Sequence, residues 1–235
     1  MVHFRDWDTA APAGQVWHIA AQAGRHLVLP DGVLDLVWTD GELVFCGPDT
    51  AAAQVMYDDA TSIWGHRFAP GWATQLTGIP AAELINERLD AAEYLGLTTA
   101  QIDAVAADPR GGLNAVVRAL WNRANVSADD EATLTLAASV NRAAAAGLRV
   151  PAIATAHHLS ERTLRRFCHQ WFGYGPKTLA SVLRFQQALE LARDGLSLTA
   201  VAARCGYADQ AHLARESQRL TGLAPTELLT FGAFA

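Results

Sequence analysis

Two stretches of the chain repeat one small helical plan, and that repeat limits what the second half can fold into. Within residues 150–173 the sequence reads PAIATAHHLSERTLRRFCHQWFG, and within 197–222 it reads LTAVAARCGYADQAHLARESQRLTG. Each copy is a short apolar-patterned helix, a tight turn and a longer helix ending in glycine. The turns fall at His158-Leu159-Ser160 and Cys205-Gly206-Tyr207. That plan is the helix-turn-helix unit, whose second helix can enter a major groove about 12 Å wide. Between the copies Pro176 opens PKTLASVLRFQQALELARDG, a long amphipathic segment able to brace both.

The longer helix of the first copy carries a charge stripe. Arg162, Arg165, Arg166 and His169 stand at i, i+3, i+4 and i+7 and so share a face. Leu164, Phe167 and Trp171, with Cys168 beside them, follow the same period on another face. One side is built to bury, and the other meets either solvent or something negative. The chain as a whole carries a formal charge of −6. Residues 1–128 hold 7 Lys or Arg against 15 Asp or Glu, a balance of −8, and residues 129–235 hold 11 against 9, a balance of +2. Between Ser160 and Gln186 there are five cationic residues and one Glu. Attraction acts over about one Debye length, so a focused patch can work on an acidic protein.

The first half reads as strands and turns. QVWHIA, HLVLPDGVLDLVW and ELVFCG are rich in β-branched and aromatic residues. Pro30-Asp31-Gly32 breaks the second run as a turn, and Thr39-Asp40-Gly41 suits a hairpin. TSIWGHRFAPG adds one more strand, followed by short helices bounded by Gly78, Pro80 and Gly96. Residues 113, 116, 117, 120 and 121 are apolar at helical spacing, a linker is expected near Asn122–Ser127, and Ser127 suits the N-cap of a long helix ending at Gly147. At 235 residues, 51% hydrophobic and 18% charged, the chain can hold one large core or two small ones. No run of about 18 apolar residues occurs, and MVHFRDWDTAAPAG has no apolar signal core. The expectation is a cytoplasmic protein without a membrane partner. Cys46, Cys168 and Cys205 are far apart and suit structural thiols.

The second half resembles the AraC family of bacterial transcriptional regulators from about Asp129 to Leu229, above all in LSERTLRRF, FGYGPKTLASVLRFQQALELA and SLTAVAARCGYADQAHLARESQRLTGLAPTELL. The resemblance implies an all-α domain in which two helix-turn-helix units read successive major grooves of double-stranded DNA. It places the DNA-contacting positions on Ser160, Arg162, Thr163, Arg165 and Arg166 in the first unit. In the second they are Gln210, Ala211, His212, Ala214 and Arg215. Arginine can give guanine two donors, glutamine can read adenine, and alanine can pack on a thymine methyl. Ser160 suits an N-cap facing phosphate, and Tyr207, Leu213 and Leu220 suit the core. One departure is ARESQRL, where Glu216 and Ser217 stand in place of a bulky apolar residue. A glutamate beside phosphate repels it and a core serine weakens packing, which shifts base reading towards the first unit.

The first half is similar, over roughly residues 12–95, to an uncharacterised domain in a subset of these regulators. The implied fold class is α+β: a small β-barrel-like domain with appended helices over 1–126, and the DNA-binding domain over 127–235. The family further implies that the N-terminal domain senses a small-molecule effector or supports a homodimer. For the dimer, the broad apolar face of Leu113–Trp121 is the expected interface, with docking inside the monomer as its rival. Trp17, Trp38, Phe45, Trp64, Phe68 and Trp72 suit either a core or an apolar pocket. The ligand-binding expectation is Trp17, Trp38, Trp64 and Arg67, with Asp35 as a second polar anchor. His18, His26 and His66 with Asp31 and Asp35 lack the spacing of a metal site, and neither metal nor cofactor is expected. Phosphate loops, nucleophile elbows and zincin helices are absent from the sequence, so no enzyme is expected. The alternative function is a helical protein-interaction module whose N-terminal domain binds a small apolar ligand without DNA contact.

Overall fold

The computed structural model describes residues 14–231 and the backbone of 233–234. The readings made above for residues 1–13 lie outside these described residues. The described residues hold the strands β1 (Gly14–Ala21), β2 (Gly24–Val28), β3 (Asp35–Thr39), β4 (Glu42–Cys46), β5 (Ala53–Tyr57), β6 (Thr61–Phe68), β7 (Arg88–Asp90) and β8 (Ala233–Phe234). They form a five-stranded antiparallel sheet ordered β1-β6-β3-β4-β7 and a three-stranded sheet ordered β5-β2-β8. Asp40 and Gly41, both at positive φ, make the two-residue turn between β3 and β4. β5 and β7 are strands that the sequence pattern did not announce.

Alternation along the strands divides the larger sheet into two faces. Leu36, Leu43, Phe45 and Phe68 are buried on one face against helical segments, and Phe45 meets Phe68 edge to face at 6.2 Å. The residues between them point to the other face, towards the smaller sheet.

The helices are α1 (Trp72–Thr77), α2 (Ala91–Leu95), α3 (Thr99–Ala107), α4 (Pro109–Ala124), α5 (Ala128–Ala145), α6 (Val150–Ala156), α7 (Glu161–Phe172), α8 (Pro176–Arg193), α9 (Leu198–Arg204), α10 (Gln210–Thr221) and α11 (Pro225–Thr230), with a 3-10 turn at Ala81–Leu84. In α4 the apolar stripe expected at a dimer interface is spent inside the monomer. Leu113 and Val116 are fully buried, Leu120 and Val117 nearly so, and Trp121 stacks on Trp72 at 4.7 Å. Each such burial stabilises the fold by roughly 1.5–3 kcal/mol. The intramolecular rival is therefore the one the structure supports, and α4 is not a free surface.

α5 starts at a capping box in which Ser127 Oγ accepts from Asp130 N and Asp130 Oδ2 accepts from Ser127 N. These bonds hold the Asp130 carboxyl below the usual carboxylate range. Only Asn125–Ser127 separate α4 from α5, so the linker is shorter than the sequence suggested.

The two halves share a core. Leu27 and Leu29 from the sheet region join Ala137, Val140, Phe172 and Leu179 in one buried cluster. Gln186 Nε2 donates to Pro30 O at 2.6 Å, and Ala52 N donates to Leu220 O at 2.7 Å. Gly173 packs closely on Pro48 and Ala81.

Candidate nucleic-acid interface and ligand cavity

The two helix-turn-helix units match element by element. α6 and α9 have 7 residues each, and α7 and α10 have 12 each. His158, at φ 54, occupies the turn position that Gly206, at φ 71, holds in the second unit. His157 is internal glue: Nδ1 bonds Ile153 O and Nε2 bonds Ser139 Oγ, at 2.8 and 2.9 Å. α8 packs against α7, α9 and α10 and so fixes one unit on the other.

Ser160 caps α7 by accepting from Thr163 N at 3.0 Å, and its hydroxyl meets that of Thr163 at 2.7 Å. Both side chains therefore serve the cap first. Leu164, Cys168 and Phe172 bury one face of α7, which leaves Arg162, Arg165 and Arg166 exposed beside half-buried His169. The three arginines, His169 and Thr163 line one surface recess.

In the second unit Asp209 caps α10 by accepting from His212 N at 2.6 Å. Ala208 N donates to His212 Nδ1, and Thr199 Oγ1 donates to Gln210 Oε1. Gln210 and His212 are thus partly committed to their own unit, while Ala211 and Arg215 are exposed and Ala214 is half-buried. Tyr207, Leu213 and Leu220 are core, as the sequence suggested, and the Arg184 guanidinium lies 4.5 Å from the Tyr207 ring.

The expected role of Glu216 is corrected here. Its carboxylate accepts from Arg219 Nε and Nη2 at 2.9 Å and from the Ser181 hydroxyl, contacts that hold it below the usual carboxylate range. A carboxylate neutralised by an arginine does not act as a free repulsive charge. Ser217 is fully buried but satisfied, donating to Leu223 O at 2.8 Å, so it closes the end of α10 instead of leaving a polar gap.

The recess on α7 continues further than the sequence suggested. Arg162, Arg165 and His169 also border a second recess with Val150, Lys177 and Thr178. Those last three in turn border a larger groove that ends on α10 and carries Arg149, Arg184, Arg204, His212 and Arg219. One concave track, basic on balance although Glu161 and the Glu216–Arg219 pair also line it, thus joins the two longer helices. Arg149, Arg204 and Arg219 were missed because they come from separate elements and form no stripe in sequence.

A separate cavity of about 280 Å³ lies between the two sheets. Ile19, Val37, Val44, Val55 and Ile63 supply apolar walls, and Trp17 lies across Gly65, where an added Cβ would sit 2.2 Å from the indole. Arg67 lines the same cavity, but Trp38 and Trp64 do not. Both fall on the opposite face of their strands and pack on the α4 core, where Trp64 also stacks on His18 at 4.3 Å.

One end of the cavity is charged. Arg67 donates from Nε to Asp35 Oδ1 at 3.2 Å, from Nη2 to Asp35 Oδ2 at 3.0 Å, and to Asp31. Trp17 Nε1 donates to Asp35 at 3.4 Å, and Arg88 pairs with Asp49 at 2.5 Å. Burial pushes the Asp31 carboxyl up to about 6, against the pull of Arg67. Desolvation opposes the Arg67 cation, yet Asp31 and Asp35 raise its proton affinity on balance. The Pro30-Asp31-Gly32 segment is therefore a turn that also carries a cavity charge. Burial likewise pushes the Cys46 thiol up to about 12, which leaves it protonated at neutral pH. His18 bonds Ser62 Oγ and His26 bonds Gln22 O, so these rings serve local structure.

A helix-turn-helix domain model matches residues 153–230, and a domain of unknown function, DUF6597, matches residues 14–90. Residues 153–230 thus form a helix-turn-helix domain. No curated protein matches the chain. Among solved structures, ToxT from Vibrio cholerae is similar over 93% of this chain and 98% of its own, with a TM-score of 0.54 and 10% identity. ToxT bound to (E)-4-(8-methylnaphthalen-1-yl)but-3-enoic acid covers 92% of this chain and 97% of its own, with a TM-score of 0.51 and 10% identity. A probable AraC family transcriptional regulator from Rhodopseudomonas palustris covers 43% of this chain and 99% of its own, at 23% identity and a TM-score of 0.36. The ToxT likeness shows a common fold for the two-domain arrangement: a β-rich N-terminal part followed by a helical part with the two units.

Proposed function

We propose that this DNA-binding transcriptional regulator reads its operator chiefly through Arg162, Arg165 and Arg166 on α7. α10 adds Ala211, Ala214 and Arg215, with Gln210 and His212 serving both DNA and their own turn. The observation that carries this assignment is the continuous basic track from α7 to α10. It suits a phosphate backbone passing between two reading helices, which positions them without itself specifying sequence. Ser160 and Thr163 then present the capped start of α7 to the duplex.

The functional division runs at 126/127, with residues 1–126 as the sensory part and 127–235 as the DNA-binding part. Both loops at the charged end of the cavity touch the helical part, through Pro30 to Gln186 and through Ala52 to Leu220. Effector occupancy of the cavity is read out through these two contacts, so Trp17 and Arg67 are the ligand-facing members of the expected set. The apolar acid named with ToxT supports a small-molecule effector in this arrangement. Among the described residues no helix is long and apolar enough to cross a membrane. The protein is assigned to the cytoplasm, as a regulator and not an enzyme. A homodimer remains part of the proposal, through a surface other than α4, and sedimentation of the full chain measures it.

Selection from random duplexes with the full chain, followed by titration of the winning and a scrambled duplex at one stated salt concentration, tests the assignment. Preference for the selected duplex is the expected result. Equal affinity for both would return the arginine face to a protein-interaction role.

A further inference from the structure

The charged end of the cavity is unbalanced. Asp31, Asp35 and Asp49 face two guanidiniums, Arg67 and Arg88, which leaves one net negative charge among the described lining residues. The rest of the lining is almost wholly Val, Ile, Leu and aromatic. Burying an uncompensated charge is expensive, and the environment favours either a proton or a cation there. Burial is the main cause of the upward shift of Asp31, to which Asp35 and Asp49 add against the pull of Arg67. Beneath the turn that carries Asp31, the Tyr174 hydroxyl lies against Gly32 and has no hydrogen-bond partner among the described residues, although Tyr174 is only 4% exposed.

We propose that the cavity binds a small apolar amine, its ammonium between Asp31 and Asp49 and its hydrocarbon part against Trp17, Val37, Val44 and Ile63. This rests on the cavity being the effector site. Volume restricts the ligand, because about 280 Å³ is at the lower limit of small-molecule pockets, roughly 300–1,000 Å³. A long acyl chain is too large, and a hydrated inorganic cation gains nothing from valine and isoleucine walls. Trp17 adds an aromatic face, to which an organic cation is attracted. A carboxylate would instead have to displace Asp31, Asp35 or Asp49 from its guanidinium partner. The turn holding Asp31 is the one that bonds α8 through Pro30, so the cation would bind next to a contact with the DNA-binding part.

Calorimetric titration of the full chain at neutral pH with 2-phenylethylamine, 2-phenylethanol and 3-phenylpropanoate tests the proposal. The amine is expected to bind at least about tenfold more tightly than the other two, the scale of a charge-assisted hydrogen bond. Asp31→Asn leaves Arg67 paired with Asp35 and brings the charges into balance. It should weaken the amine roughly 10- to 100-fold and leave the alcohol unchanged. Val55→Phe, which narrows the cavity, should weaken both and so locate the site. Tightest binding of 3-phenylpropanoate, or equal binding of all three, overturns the amine assignment while leaving the cavity as a ligand site. Failure of all three probes to bind the wild-type chain overturns both.

Discussion

Asp31 makes the stability of this protein depend on pH in a direction opposite to that of an ordinary paired aspartate. Its carboxyl stands at about 6 in the folded chain against an ordinary value of 3.8, because desolvation outweighs Arg67 and because Asp35 and Asp49 repel its charge. A raised carboxyl binds its proton more tightly when folded, so its stabilisation is complete below about pH 4 and is lost as pH rises through 6. A difference of about 2 pKa units corresponds to roughly 3 kcal/mol, of which on the order of 1 kcal/mol falls between pH 5 and 7.5. The titrating and charged groups facing Asp31 are Arg67, Asp35 and Asp49, with Arg88 paired to Asp49 and Tyr174 behind the turn. Asp31→Asn removes the ionisation while keeping the shape. Urea unfolding of wild type and variant at a series of pH values measures the effect. The stability of the wild type relative to the variant should fall by on the order of 1 kcal/mol from pH 5 to 7.5 and then level off. A difference that stays flat, or that grows with pH, would mean that the pull of Arg67 matches or outweighs the desolvation of Asp31.

Two further outcomes follow from the backbone and the core. His158→Gly should stabilise the chain by about 1 kcal/mol in thermal or urea unfolding, because His158 holds a left-handed conformation that Gly206 takes freely in the second unit. An unchanged or lowered stability would show that the ring makes a compensating contact. The double variant Val117→Glu, Leu120→Glu should lose cooperative unfolding, not dissociate into folded monomers, since each carboxylate enters a dry core at a cost of several kcal/mol, on the order of 3–5. Sedimentation together with circular dichroism distinguishes the two, and a folded variant with altered mass would restore α4 as an interface.

The helical half was legible because its signals are local. Periodicity set α7 and α8, Ser127 and Ser160 announced their own caps, and the repeated turn marked the second unit. The strands around Asp40-Gly41 were legible for the same reason. What escaped depends on pairing between distant segments. Whether Trp17, Trp38 or Trp64 faces the cavity is fixed by strand register: Trp17 lies opposite Gly65, whereas Trp38 pairs with Trp64, on the other face. The sequence showed the alternation but not which face a helix would cover. The α4 stripe was equally visible, yet nothing local says whether a sheet or a second chain buries it. Glu216 was misjudged although Arg219 stands three residues on along α10, because spacing alone does not say that the two side chains pair, and its other partner, Ser181, is 35 residues away on α8. Arg149, Arg204 and Arg219 become part of one track only once α8 has set the two units side by side.

The claim that α7 reads base sequence is tested most directly by Arg165→Ala in the full chain, measured by fluorescence anisotropy on a selected and a scrambled duplex at the same salt. The account predicts a loss of roughly 1–3 kcal/mol on the selected duplex, with discrimination relaxed at one or two base pairs, and a much smaller change on the scrambled one. Equal weakening on both duplexes would contradict it, because Arg165 would then be a phosphate contact and the basic track a non-specific surface.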